Sequence, residues 1–88
     1  MNQSKRNSDF KVKQSKVMAM IKFLPAMQYA FPEIKQAFYY INDHEEFVRV
    51  SYQYPHTNTR YDFDVCVTAD SISAMYTDVW KEVIRRFG

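Results

Sequence analysis

The side chains with the most chemical potential gather in the second half of the sequence. Asp62 and Asp64 are separated by one residue, Cys66 follows, His56 precedes them, and His44 sits within Asp43, Glu45 and Glu46. On a strand, Asp62 and Asp64 project from one side about 7 Å apart, a spacing that a divalent cation or a carboxylate pair can use. Arg49, expected across the sheet from Asp64, competes with a metal for that site. His56 could act as a general base only with a nucleophile and an orienting group tied to it by spacing, and no such residues accompany it or His44. Cys66 is the sole cysteine, so it forms no internal disulfide and no zinc site of two or more thiolates, and only Arg49 is placed to activate it. The single glycine, Gly88, excludes phosphate-cradling loops, dinucleotide fingerprints and a glycine-cornered nucleophile elbow. The expectation is a non-enzymatic protein with no metal site and no cofactor.

Whatever function remains must be carried by a chain of 88 residues, which is one small fold with one core. Apolar residues make up 47% and charged residues 25%, ordinary globular usage that argues against wholesale disorder. The net charge of +2 conceals an asymmetry. Residues 1–22 carry Lys5, Arg6, Lys11, Lys13, Lys16 and Lys22 against Asp9 alone, whereas the remainder is acidic, most densely between Asp43 and Asp70. Such polarity steers a partner to one side of the molecule, or lets a basic arm lie on its own acidic body. Aromatic residues reach 17%, with seven tyrosines, more than a core of this size needs. Tyrosine joins a rigid apolar ring to a polar tip, which suits a protein-contact or base-stacking surface.

Residues 1–8 lack both apolar period and apolar content after Met1, and read as a flexible basic arm before a single α+β domain over residues 9–88. The alternation in Asp9-Phe10-Lys11-Val12-Lys13 suits a lysine-guarded third edge strand as well as the start of a helix. Val17 to Phe31 holds one charge, Lys22, and many helix formers, which predicts a helix either kinked at Pro25 or broken there into two short helices. A second helix is expected from Pro32 to about Ile41, with Ile34, Ala37, Phe38 and Ile41 as its stripe. Strict alternation over Glu46–Tyr54 and Tyr61–Val67 predicts an antiparallel hairpin. The favoured register sets Val50 opposite Phe63, Tyr52 opposite Tyr61 and Arg49 opposite Asp64. A last helix, capped by Asp70 and Ser71, carries Ile72, Met75, Tyr76, Val79, Val83 and Phe87 at helical spacing and packs on one sheet face.

The basic-then-apolar start is not read as a signal peptide, because Lys22 interrupts the apolar run and no small-residue cleavage site follows. The run is also too short to span a bilayer, so a cytoplasmic protein without membrane association is expected. The Val17–Phe31 run is apolar around most of its circumference, and one face cannot hide it all. Protein binding is therefore the expected function, through Met18, Met20, Met27, Tyr29, Tyr39, Tyr40 and Tyr54. The protein would be an inhibitor, adaptor or self-associating subunit, with a homo-oligomer expected. Small phage or mobile-element inhibitors of host machinery share this general character by analogy alone. The alternative is nucleic-acid binding through Lys5, Arg6, Lys11, Lys13 and Lys16, which lacks a recognition motif.

Overall fold

In the computed structural model, backbone is described for residues 3–67 and 71–88, and side chains from Gln14 onward within those spans. Helix α1 (Gln3–Ala30) leads into strands β1 (Ile34–Asn42), β2 (Glu45–Tyr52) and β3 (Tyr61–Cys66), and helix α2 (Ile72–Phe87) closes the chain. The strands form one antiparallel sheet in the order β1-β2-β3, so the domain is α+β with β2 at its centre.

The hairpin of β2 and β3 has the register expected from the alternation: Val50 faces Phe63, Tyr52 faces Tyr61 and Arg49 faces Asp64. The expected second helix is instead β1, paired along its length with β2. Ile34, Ala37, Phe38 and Ile41 fit a helical stripe, but Phe38, Tyr39, Tyr40 and Ile41 are also strong strand formers. The open side of β2 supplies a partner for their backbone groups, and tertiary pairing decides the matter. Pro32 starts a turn rather than a helix, since the Ile34 amide donates to the Phe31 carbonyl at 3.0 Å, with Pro32 at the second position of that turn. Asp43 and His44 form a two-residue hairpin loop with φ of 53° and 68°. Both being left-handed matches the twist of the flanking strands.

The third strand is thus β1, and the one anticipated at residues 9–13 belongs to α1. Five alternating residues are outweighed by the helix formers that follow them, because extending a helix costs far less than nucleating one. Nor is there a helix pair: α1 continues through Pro25. Proline removes the donor that the Ile21 carbonyl would use, but Ile21 and Pro25 both lie on the exposed side, where water can serve that carbonyl.

Both helices cover one face of the sheet. Met20 and Met27 of α1 and Met75, Val79 and Val83 of α2 meet Ala37, Tyr39, Val48, Val50, Phe63 and Val65 of the strands. Between the helices, Phe23 stacks on Tyr76 at 4.3 Å and meets Trp80 edge-on, while the Tyr76 hydroxyl donates to the Ala19 carbonyl at 3.0 Å. Ser71 caps α2 as expected, accepting from the Ala74 amide at 3.1 Å. Asp70, expected to share that cap, lies outside the described residues.

Twenty-eight residues of helix run about 42 Å, whereas a nine-residue strand spans about 30 Å. The excess of α1 extends past the sheet. The molecule accordingly measures 55 × 22 × 19 Å, with a radius of gyration of 14.3 Å against about 12 Å for a sphere-like domain of this length.

Replacing Pro25 with alanine restores a donor to Ile21 in a helix interior. That change is worth about 3 kcal/mol of propensity, less up to about 1 kcal/mol for a looser unfolded chain. Thermal unfolding of Pro25→Ala should therefore show a Tm higher by roughly 8 °C or more. An unchanged or lower Tm would mean that the proline is accommodated without cost.

Candidate functional site

From Lys16 to Tyr29, helix α1 is apolar on both its buried and its exposed side. Its buried stripe is Lys16, Ala19, Met20 and Met27, with Phe23 and Leu24 half-buried, while Val17, Met18, Ile21 and Tyr29 face solvent. Ile21 is 56% exposed and Tyr29 92%, yet Lys16 is 1% exposed. Lys16 is held under the helix by Glu46 of β2, Nζ to Oε1 at 2.6 Å, and the Tyr39 hydroxyl donates to the same oxygen at 2.6 Å. The ammonium also lies 5.6 Å from the Tyr39 ring centre. Burial, reinforced by the Glu46 carboxylate, pushes the Tyr39 hydroxyl well above the ordinary phenol range.

A second polar cluster occupies the opposite, uncovered face of the sheet. Arg49 forks onto Asp64, Nε to Oδ1 at 2.8 Å and Nη2 to Oδ2 at 3.1 Å, and Tyr40 donates to Oδ2 at 2.8 Å. The guanidinium holds the Asp64 carboxyl below its usual range, and the Tyr40 hydroxyl adds to that. The Tyr40 ring lies 5.1 Å from the Arg49 carbon, stacks on Phe47 at 5.5 Å and neighbours Phe38 at 5.8 Å. Arg49 thus occupies the carboxylate that a cation bound between Asp62 and Asp64 would need. Among the described residues, no group of three or more histidine, cysteine, aspartate or glutamate side chains is arranged to hold a metal. His44 and His56 are exposed in turns, His56 with φ of 72°, and Cys66 is exposed and free.

The residues expected to make protein contacts are divided by the structure. Met18, Tyr29 and Tyr54 are exposed and Tyr40 is half-buried in its ring ladder, but Met20, Met27 and Tyr39 belong to the core. The correction follows from helix phase: Met20 and Met27 are seven residues apart on the stripe that meets the sheet, and Tyr39 alternates inward on β1. Among the basic residues, Lys16 is sequestered by Glu46 and cannot meet a phosphate, and the side chains of Lys5, Arg6, Lys11 and Lys13 lie outside the described residues. The reading by residue type overlooked Val17 and Ile21. Their exposure depends on which side of α1 faces the sheet, and the signal for that, Lys16 four residues before Met20 and thirty before a glutamate, is long-range.

Among the described residues, no helix is long and apolar enough to cross a membrane. Compared with models of protein families, with curated proteins and with solved structures, the chain finds no match in any of the three.

The Tyr39 hydroxyl gives a directional pH prediction. Above pH 10 the unfolded chain releases that proton while the folded chain keeps it, so the unfolded state binds fewer protons and stability falls as pH rises, by up to about 1.4 kcal/mol per pH unit. Tyr39→Phe should be less stable than the parent near pH 7, and its denaturant midpoint should decline less steeply between pH 10 and 11. Parallel declines would show that Tyr39 ionises alike in both states.

Proposed function

We propose that the chain is a non-enzymatic protein-binding domain whose contact surface is the solvent side of α1, and that the partner met there is a second copy of itself. One observation carries this reading. Met18, Ile21, Pro25 and Tyr29 recur at three- and four-residue spacing along the exposed side of α1, with Val17 beside them and Lys22 the one charge between Val17 and Tyr29. A helix side turned to solvent is ordinarily polar, and a run of apolar side chains along one offers a small contact surface to another molecule.

The stripe is self-complementary. Antiparallel pairing about a twofold axis brings Met18 of one copy against Tyr29 of the other and centres the contact between Ile21 and Pro25, while Lys22 can run its alkyl stem along the rim. From Val17 to Tyr29 the stripe is about 18 Å long and about 10 Å wide, so it offers roughly 200 Å². Stable complexes bury about 800 Å² per partner, so this contact is weak and concentration-dependent. The same surface is the basis for the inhibitor and adaptor readings, in which a different protein takes the place of the second copy.

Light scattering over about 10 μM to about 1 mM should show the apparent mass climbing from 10.6 kDa toward twice that value. Ile21→Glu puts a charge at the centre of the stripe and should hold the mass at one chain while leaving the circular dichroism and Tm unchanged. A constant single-chain mass for the parent, or an Ile21→Glu variant that associates equally well, would overturn the self-association reading.

A further inference from the structure

Between the two helices lies a groove of about 210 Å³ lined by Phe23, Tyr76, Thr77 and Trp80. Thr77 is exposed, so the groove opens to solvent on the side of the helix layer away from the sheet. Phe23 and Tyr76 are stacked, and Trp80 meets Phe23 edge-on with ring centres 5.8 Å apart. The Thr77 hydroxyl donates to the Ser73 carbonyl at 2.9 Å, which leaves its own lone pairs free to accept. Ring faces beside a hydroxyl acceptor suit a cation carried on an apolar stem.

The groove adjoins the contact surface of α1 at its centre. Tyr76 donates to the Ala19 carbonyl and stacks on Phe23, so positions 19 and 23 form the side of α1 turned to α2. Helical periodicity puts Lys22 and Ala26 on that same side, a step further toward solvent, and both are exposed. Lys22 makes no hydrogen bond or ion pair among the described residues, and it does not line the groove of its own chain. The one charge of the stripe therefore stands between apolar side chains and an aromatic groove.

What enters the groove follows from the twofold pairing of α1 proposed above, on which this inference rests. The axis passes between Ile21 and Pro25, the level of Phe23, and runs across the helices, so α2 of both copies lies on the same side. Groove then faces groove. Lys22, one residue or about 1.5 Å from that level, stands opposite the rings of the other copy, whereas Tyr29, about 9 Å away, meets Met18. We infer that the groove between α1 and α2 receives Lys22 of the second copy, its stem along Phe23 and Tyr76 and its ammonium between the Trp80 ring and the Thr77 hydroxyl. Symmetry makes the contact twice, and it spreads the interface over two helices instead of one.

Substitution of Lys22 tests this by the sign of its effect. If α1 alone made the contact, removing the single charge from an apolar stripe would strengthen association. With Lys22 seated in the groove, Lys22→Ala should weaken association by about ten-fold, since two cation–ring contacts are lost, and Lys22→Arg should preserve it. Trp80→Phe should also weaken the parent, yet add little further loss on the Lys22→Ala background. Trp80 is the sole tryptophan, so a neutral collisional quencher should reach it less readily as the mass rises with concentration. A parent that associates while Lys22→Ala pairs equally well or more tightly, or while Trp80 stays as open to the quencher as in the single chain, would overturn the groove contact and leave the α1 pairing standing. A parent that remains a single chain would overturn both.

Discussion

The placement of Lys16 constrains the rest of the molecule. An ammonium at 1% exposure persists only with its charge compensated, and here Glu46 compensates it while Tyr39 occupies the same carboxylate oxygen. Such an arrangement contributes little net stability, because desolvating both charges offsets most of their attraction. Its effect is geometric. Lys16 can reach Glu46 only if α1 is turned so that positions 16, 20, 23, 24 and 27 face the sheet, and with that rotation positions 17, 18, 21, 25 and 29 must face away. The exposed apolar stripe is thus the complement of a buried ion pair, and any rotation hiding Ile21 would strand a charge.

The same constraint explains what could be read from the residues alone and what could not. The register of β2 on β3 was legible because alternation over both strands allows few pairings and Arg49 opposite Asp64 selects among them. Helix α2 was legible because Met75, Val79 and Val83 repeat at four-residue spacing behind a serine cap. Strand β1 was not, since Ile34 to Ile41 satisfies the helical and the extended period alike. It is apolar on both sides because Phe38 and Tyr40 join Phe47 on the uncovered face while Ala37 and Tyr39 enter the core. The rotation of α1 was equally hidden. A run apolar on every side carries no phase of its own, and the deciding contact lies thirty residues away.

At the candidate site, residue type was a weaker guide than position. Methionine and tyrosine mark adaptable contact surfaces in general, yet Met20 and Met27 are fully buried and Tyr39 belongs to the core. The carboxylate pair was correctly placed on one strand face, and the competition from Arg49 is seen directly. Missing from that reading was the direction of the β3 backbone: the amides and carbonyls of Asp62, Asp64 and Cys66 point away from β2, which follows from the hydrogen-bonded register and not from side-chain type.

The surplus of aromatic rings that composition reveals is largely engaged in ring contacts, some in the core and some on the uncovered sheet face. Tyr40 is bracketed by Phe38, Phe47 and Arg49, Tyr52 stacks on Tyr61 and meets Phe87 edge-on, and Phe23, Phe31, Tyr76 and Trp80 join the two helices. Ladders of this kind fix cross-strand register and helix spacing, and they lower the need for a thick aliphatic core in a short chain. Aliphatic side chains on α1 are thereby left over: Val17, Met18 and Ile21, which stay exposed and whose burial inside the chain the lysine forbids. A two-layer fold with three strands has one covered sheet face and two helix backs. With Lys16 directed inward, the apolar excess of α1 appears on its back. The exposed apolar side of α1 therefore follows from a single charge placed on the unexpected side.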